Sequence, residues 1–348
     1  HENHVKVYLT LNTLPRNDEI DRLSPFIKAV AHLGIDAFII TDLGTLSLVK
    51  ENAPDVDIHI SVQTGIVNYR SALFYYNLGA KRIVLARELT LCEISEIRAK
   101  TPPDLEIEAF VHGAICMSVS GRCLISNYLT GRDANRGDCA QPCRWKYHLV
   151  EEKRPGEYME IYEENGGAYV LNANDMCLIN HIPALAKAGI TSLKIEGRAK
   201  TDYYVAVITN AYRNAVDGYL TEGEGYQTPD WIMNEVDKVS HRAYTKGFYF
   251  GPPENPQTYD NGGYIRNYEL IAVAEDYSDG ILTVIQKNKF YPGTYDVLEP
   301  GNAPFAITAE QLYDETMNPI EAAPHPTMKV KFLSPPVKKG AYLRIKKT

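Results

Sequence analysis

The chain has 348 residues, 45% of them hydrophobic, with 36 lysines and arginines against 44 aspartates and glutamates, a formal charge of -8. That length buries a large core and holds one big domain with a smaller one. The acidic balance argues against indiscriminate nucleic-acid binding and leaves a local basic patch open.

No apolar run approaches the ~18 residues that span a bilayer. The opening "HENHVKVYLTLN" lacks the basic stretch and apolar core of an export signal, so a cytoplasmic location is expected. It also starts without Met, as a chain cut from a longer product would.

Residues 5–113 repeat one theme. "VKVYLTLN" (5–12) is a predicted strand and "DEIDRLSPFIKAVAHLG" (18–34) a helix stopped by Gly34. "AFIITD" (37–42) is a strand, followed by the helix "LGTLSLVKEN". "DIHISVQ" (57–63) is a strand, and "NYRSALFYYNLG" a helix with Asn68 as N-cap and Gly79 as stop. "KRIVLARE" (81–88), the helix "LCEISEIRAK" and the strand "EIEAFVHG" (106–113) complete the run. Short β-rich runs alternating with helical patterns predict parallel βα units.

The theme returns with "AYVLNAND" (168–175), the helix "CLINHIPALAKAG", the strand "SLKIEGR" (192–198) and the helix "YYVAVITNAYRNAVDGYL" (203–220). Seven strands give an α/β fold, a TIM-like (β/α)8 barrel lacking its first strands. An open doubly wound sheet competes, although no G-x-G-x-x-G follows a strand. The division is a barrel domain over 1–222 with a Cys-rich insertion at 114–167, a linker over 223–262 wrapping the barrel, and a small antiparallel β-barrel domain over 263–348. The last rests on short alternating runs broken by "SDG", "EPGN" and "SPP".

Four of the six cysteines fall between 116 and 143: Cys116, Cys123, Cys139 and Cys143, separated by six, fifteen and three residues. A reducing compartment disfavours disulfides. Zinc ribbons use paired short knuckles, and only Cys139–Cys143 fits one; thiolates at mixed spacings suit an iron–sulfur cluster. Metal-free thiols remain the plain alternative. The segment leaves the C-terminal end of a strand, where parallel barrels carry their chemistry. Between 121 and 147, five cations (Arg122, Arg132, Arg136, Arg144, Lys146) face Asp133 and Asp138, a net of +3, interleaved with Tyr128, Trp145 and Tyr147. Such an arm suits phosphates and an unpaired base, or else covers a cluster.

"EAFVHGAICMSVSGRCLIS" (108–126) resembles the signature of the collagenase-like peptidase family U32. "NYLTGRDANRGDCAQPCRWKY", "LKIEGRAKTDYYVAVITNAYR" and "VSHRAYTKGFYFG" are similar to further blocks of that family, and the resemblance runs essentially end to end. Family members usually carry two more strand regions upstream. The resemblance implies iron–sulfur proteins that hydroxylate a nucleobase or quinone without molecular oxygen. The "GRDANRGDCAQPCRWKY" block is most similar to the tRNA-hydroxylating branch, which makes 5-hydroxyuridine at the wobble position with prephenate as the implied hydroxyl source.

It further implies [4Fe–4S] ligation by Cys116, Cys123, Cys139 and Cys143, with Cys177 as the alternative fourth ligand, tRNA as partner, and a complex with a paralogous U32 protein. Period two along "KIEGR" puts Lys194, Glu196 and Arg198 on one side of a strand, where they would bind a small dicarboxylate donor or form a charge network. His112, Arg87, Glu88, Gln63, Asn12 and Asp42 end strands beside the same space. A collagenase-like peptidase and a non-catalytic RNA-binding protein with a structural metal are the rival functions. The peptidase lacks a visible H-E-x-x-H or G-x-S-x-G motif.

Overall fold

The computed structural model describes residues 1–116, 118, 119, 122–145, 148, 149, 155, 156, 159, 160, 174–198, 200–252 and 264–347. Strand and helix alternate through β1 (Tyr8–Leu11), α1 (Asn17–Ile20), α2 (Leu23–Ala31), β2 (Ala37–Ile40), α3 (Leu43–Asn52), β3 (Asp57–Ile60), α4 (Tyr69–Asn77), β4 (Ala80–Val84), α5 (Leu91–Ala99) and β5 (Glu106–Ala114). The Cys-rich segment holds α6 (Ile125–Thr130), β6 (His148–Leu149) and β7 (Met159–Glu160). Then come β8 (Asp175–Cys177), α7 (Ile182–Lys187), β9 (Ser192–Ile195), α8 (Asp202–Glu222), α9 (Asp230–Val236) and β10 (Tyr244–Thr245).

Local chemistry sets these boundaries. Side chains of Asp42, Asn68 and Thr90 accept the N–H groups of Thr45, Ser71 and Glu93, capping α3, α4 and α5. Gly34 and Gly79 follow α2 and α4 with φ of 79° and 95°, the left-handed backbone that ends helices. The single helix expected over 18–34 is two. Pro25 has no N–H to continue a helix from Asp21, so α2 restarts with the proline in its first turn.

The chain forms two compact units. One comprises His1–Cys177, Ala184–Lys194 and Tyr244–Gly263; the other comprises Leu178–Pro183, Ile195–Ala243 and Tyr264–Thr348. The expected boundary after 222 therefore falls inside the second unit, and the expected linker contains α9 and β10.

In the first unit β1 to β5 pair in parallel and in chain order. β9 pairs with β5, β8 runs antiparallel to it, and β10 runs parallel to β8. The antiparallel β8 departs from the all-parallel expectation. The chain leaves β5 at its C-terminal end and comes back beside that end, so no crossover reverses it. Of the strand expected over 168–175, residues 168–173 lie outside the described residues. β1 and β10 end the path and, among the described residues, do not pair with each other, so the described strands are an open array.

One sheet face is a buried apolar row: Phe38, Ile40, Ile58, Ile60, Ile83, Ile107, Ala109 and Val111. Such rows suit a surface covered by crossover helices. By register and period two, the opposite face carries Tyr8, Ile39, His59, Arg82, Glu106, Glu108, Phe110 and His112.

In the second unit α8 buries Tyr203, Tyr204, Val207, Ile208, Ala211, Tyr212 and Ala215, one helical stripe. Its β domain adds β11 (Tyr268–Ser278), β12 (Ile281–Gln286), β13 (Gly293–Leu298), β14 (Phe305–Ala309), β15 (Leu312–Tyr313), β16 (Pro319–Ile320), β17 (Lys329–Leu333) and β18 (Tyr342–Lys346). These make one antiparallel sheet in the order β14-β13-β18-β11-β12-β17-β15-β16 around a core that includes Leu282, Val284, Tyr295 and Phe332. Its end strands do not pair with each other among the described residues, so the expected small barrel is an antiparallel sheet with two edges.

A buried charge network ties α8, α9, β13 and β18. Arg344, 0% exposed, donates to both Glu235 oxygens at 2.7 Å and to Asp296 at 2.9 Å. Lys238 bonds the same two carboxylates.

Candidate active site

The polar face of the first unit's sheet gathers charged groups around Glu108. Arg82 lies on the neighbouring strand β4, opposite Glu106 and two residue pairs short of Glu108 in register. Its Nη1 donates to Glu108 Oε2 at 2.9 Å, and its Nε bonds Glu106 at 2.6 Å. From β9, Ser192 Oγ donates to Glu108 at 2.8 Å and Lys194 Nζ at 2.6 Å. Tyr8 stacks edge-on against His59 with ring centroids 4.7 Å apart, and Arg82 lies 5.2 Å from the Tyr8 ring.

Electrostatics follow from this packing. Burial pushes the Glu108 carboxyl up, but Lys194, Ser192 and Arg82 together outweigh it and hold the group below its usual value, as a carboxylate. Burial, assisted by the Arg82 charge, lowers His59 to about 4, so its imidazole is neutral at pH 7. Two cations and two carboxylates thus balance beside a neutral ring.

Above this layer, Arg87 sits 3.9 Å from the centroid of Phe110, and Lys194 lies 5.7 Å from the same ring. Tyr249 donates to the Phe110 carbonyl at 2.6 Å. His112 is buried, 5.4 Å from the Tyr244 ring, and its Cα partner across the ladder is Cys177.

Of the expected Lys194, Glu196 and Arg198, only Lys194 lies in a strand, β9. Lys194 binds Glu108, whereas Glu196 accepts the backbone N–H of Arg198, whose side chain is exposed. The partners of Lys194 were missed. His59, Arg82, Glu106 and Glu108 stand at same-face positions in "DIHI", "AKRIV" and "EIEAF", and that period was the available signal.

Cys116 lies two residues past β5, Cys123 before α6, Cys139 after a short turn, and Cys143 in the turn Pro142–Arg144. Cys139 is exposed, and the other three and Cys177 are half-buried. Asn135 Nδ2 donates to the Cys123 carbonyl at 3.0 Å, and the Gln141 N–H donates to Cys139 Sγ at 3.3 Å. As donors these sulfurs suit a soft metal. Yet among the described residues no three His, Cys, Asp or Glu side chains are arranged to hold one ion.

Two of the arm's arginines face carboxylates. Arg132 pairs with Asp138 at 2.7 Å, and Arg136 grips Glu19 through two nitrogens while approaching Asp133. Hydrogen bonds from Arg136 and from the Arg16 N–H pull the Glu19 carboxyl down to about 2. Arg122 Nε donates to the Gln63 carbonyl at 2.5 Å, docking the segment on the turn after β3. Tyr128 and Trp145 are 87% and 49% exposed. Arg144 is in the turn that holds Cys143, and Lys146 lies outside the described residues. Among the described residues no helix is long and apolar enough to cross a membrane.

Comparison with known proteins covers both units. Residues 1–259 match the model of peptidase family U32, and residues 266–344 match that of the peptidase family U32 C-terminal domain. "tRNA hydroxylation protein P1" of Bacillus subtilis is 34% identical over 331 residues, 94% of this chain and 78% of the relative. "tRNA hydroxylation protein P" of Escherichia coli is 34% identical, over 87% of this chain and 76% of the relative. A Methanocaldococcus jannaschii protein described as an uncharacterized protease is 44% identical, over 72% of this chain and 60% of its own length.

Proposed function

We propose that this chain, which belongs to peptidase family U32, is an RNA-modifying enzyme that hydroxylates a nucleoside of tRNA. The observation that carries the reading is similarity to tRNA hydroxylation proteins over 94% of the chain, taking in both family regions and the cysteine segment. The finer reading is conversion of the wobble uridine to 5-hydroxyuridine. The strand array would then belong to a (β/α)8 barrel that receives the base at the C-terminal ends of its strands.

Replacing a C–H of the base by C–OH oxidises it by two electrons. With a small dicarboxylate hydroxyl donor, prephenate in this proposal, the base gives up hydrogen and gains OH. The donor gives up OH and takes the hydrogen, so atoms and electrons balance. Lys194 would meet a donor carboxylate, and Glu108, itself held by the Ser192 hydroxyl, would keep its ammonium in place. The buried His112 would position the strand end from which the cysteine segment departs. A [4Fe–4S] cluster completes the proposal: Cys116, Cys123 and Cys139, with Cys143 or Cys177 as fourth ligand, would hold it, and it would supply electron-transfer chemistry.

The test is nucleoside mass spectrometry of bulk tRNA from cells lacking the gene. Loss of hydroxylated uridine derivatives is expected, and an unchanged profile counts against the reading. A protease reading has one favouring observation, the description of the 44% identical relative. Gelatin cleavage by purified protein, with tRNA modification intact in the deletion strain, would move the assignment there.

A further inference from the structure

The cysteine segment touches the sheet at one place that the reading above leaves unused. β2 and β3 pair in parallel, so Thr41, next after β2, and Gln63, in the turn after β3, both stand at the C-terminal ends of strands. That is the end at which α/β sheets receive their ligands. Arg122 arrives there from the segment, and its Nε donates to the Gln63 carbonyl at 2.5 Å. With Leu14 and Asn135, these three line a cavity of about 10 Å³, the space of one water-sized group.

Two observations point to an anionic ligand here. The first is the state of the guanidinium. Arg132 and Arg136 of the same segment are paired with Asp138 and Glu19. Arg122 is exposed, and among the described residues its one hydrogen bond is to a neutral carbonyl, with no carboxylate in ion-pair range. The carbonyl fixes the guanidinium plane through Nε. It leaves the two Nη groups, the end of the fork that takes two oxygens of one anion.

The second is Thr41. It is 7% exposed, and its Oγ1 is buried without a hydrogen-bond partner among the described residues. Buried hydroxyls are normally satisfied, and an oxygen entering the cavity would accept from this one. A guanidinium in solvent beside a pocket one oxygen wide fits a group that inserts a single oxygen while staying attached to a chain outside.

We propose that Arg122 and Thr41 bind one phosphate group of the RNA substrate, with a phosphate oxygen in the cavity and the guanidinium on its outer side. This site rests on the reading of RNA as substrate and adds a contact that places it. A phosphate held there carries no sequence information, but it sets the neighbouring nucleotide over the strand ends.

Fluorescence anisotropy with labelled, unmodified tRNA and the full chain tests this, run from about 50 to 200 mM salt. Arg122→Gln keeps a donor for the Gln63 carbonyl and removes the charge. It should weaken binding several-fold and flatten the log–log salt dependence by ~0.7 to 0.9, the share of one phosphate, with an unchanged thermal midpoint. Thr41→Val removes only the hydroxyl and should weaken binding about two- to tenfold at the same salt slope. Either variant binding tRNA with wild-type affinity overturns the site and leaves the substrate reading standing. A lowered midpoint in Arg122→Gln with an unchanged salt slope also overturns it, because Arg122 is then only a staple for the segment. Calorimetry with inorganic phosphate covers the small-anion case: saturable binding that Arg122→Gln abolishes, at unchanged tRNA affinity, counts against an RNA phosphate. Wild-type protein that does not bind tRNA overturns both the site and the substrate reading.

Discussion

His59 supplies a pH-dependent test of the layer beneath the site. It is 3% exposed, and burial with the Arg82 charge lowers it from 6.5 to about 4. Between those values the unfolded chain binds a proton that the folded chain does not, so stability rises with pH across the window. Stability from this source is complete above about 6.5 and is lost as pH falls toward 4. A gap of that size corresponds to about 3 kcal/mol.

Glu108 adds in the same direction at lower pH, because its folded value is depressed and its contribution disappears on acidification. His59→Phe isolates the histidine: it keeps an aromatic edge for Tyr8 and removes the titration. Urea midpoints measured at pH 7 and at about 4.5 should show the wild type losing ~2 to 3 kcal/mol more than the variant. Parallel losses in the two proteins would refute a buried, neutral His59, and His59→Leu guards against an effect peculiar to phenylalanine.

Other expectations concern the second unit and the cysteines. Arg344→Met removes the buried partner of Glu235 and Asp296 and should cost about 3–5 kcal/mol in chemical denaturation. A loss below ~1 kcal/mol would mean that Lys238 neutralises both carboxylates alone. Gly218 lies in α8 with the Tyr226 ring where a side chain would be, since an added Cβ would come within 2.4 Å of Tyr226 Cε2. Gly218→Ala should therefore lower the thermal midpoint although alanine favours helix, by an amount equivalent to ~1–3 kcal/mol. Cys123→Ser should lower the iron content of anaerobically purified protein, while Cys92→Ser should not. Equal iron in both would remove the proposed ligand set.

Much of the architecture was legible from local chemistry. Asn68 with Gly79, and Thr90 with Glu93, announce where α4 and α5 begin or end, and the register of β1 to β5 follows from their apolar rows. What failed was non-local. The direction of β8 depends on where a long cysteine-bearing excursion returns to the sheet, which no residue of "DMC" encodes. The second unit's extent depends on Arg344 reaching Glu235, 109 positions apart.

The site was half readable. Lys194 was identified, together with Glu196 and Arg198, from period two in "KIEGR", of which β9 takes in only Lys194 and Ile195. Its partner Glu108 comes from the adjacent strand β5, and pairing across a ladder is set by register rather than by sequence proximity.

The central claim is most directly tested by the hydroxylated-uridine content of tRNA in a deletion strain carrying this chain on a plasmid. The wild-type sequence should restore the modification, while Lys194→Ala, expressed to the same level and folded, should restore little of it. Failure of the wild type to restore any would contradict the assigned activity, and full restoration by Lys194→Ala would contradict the proposed site.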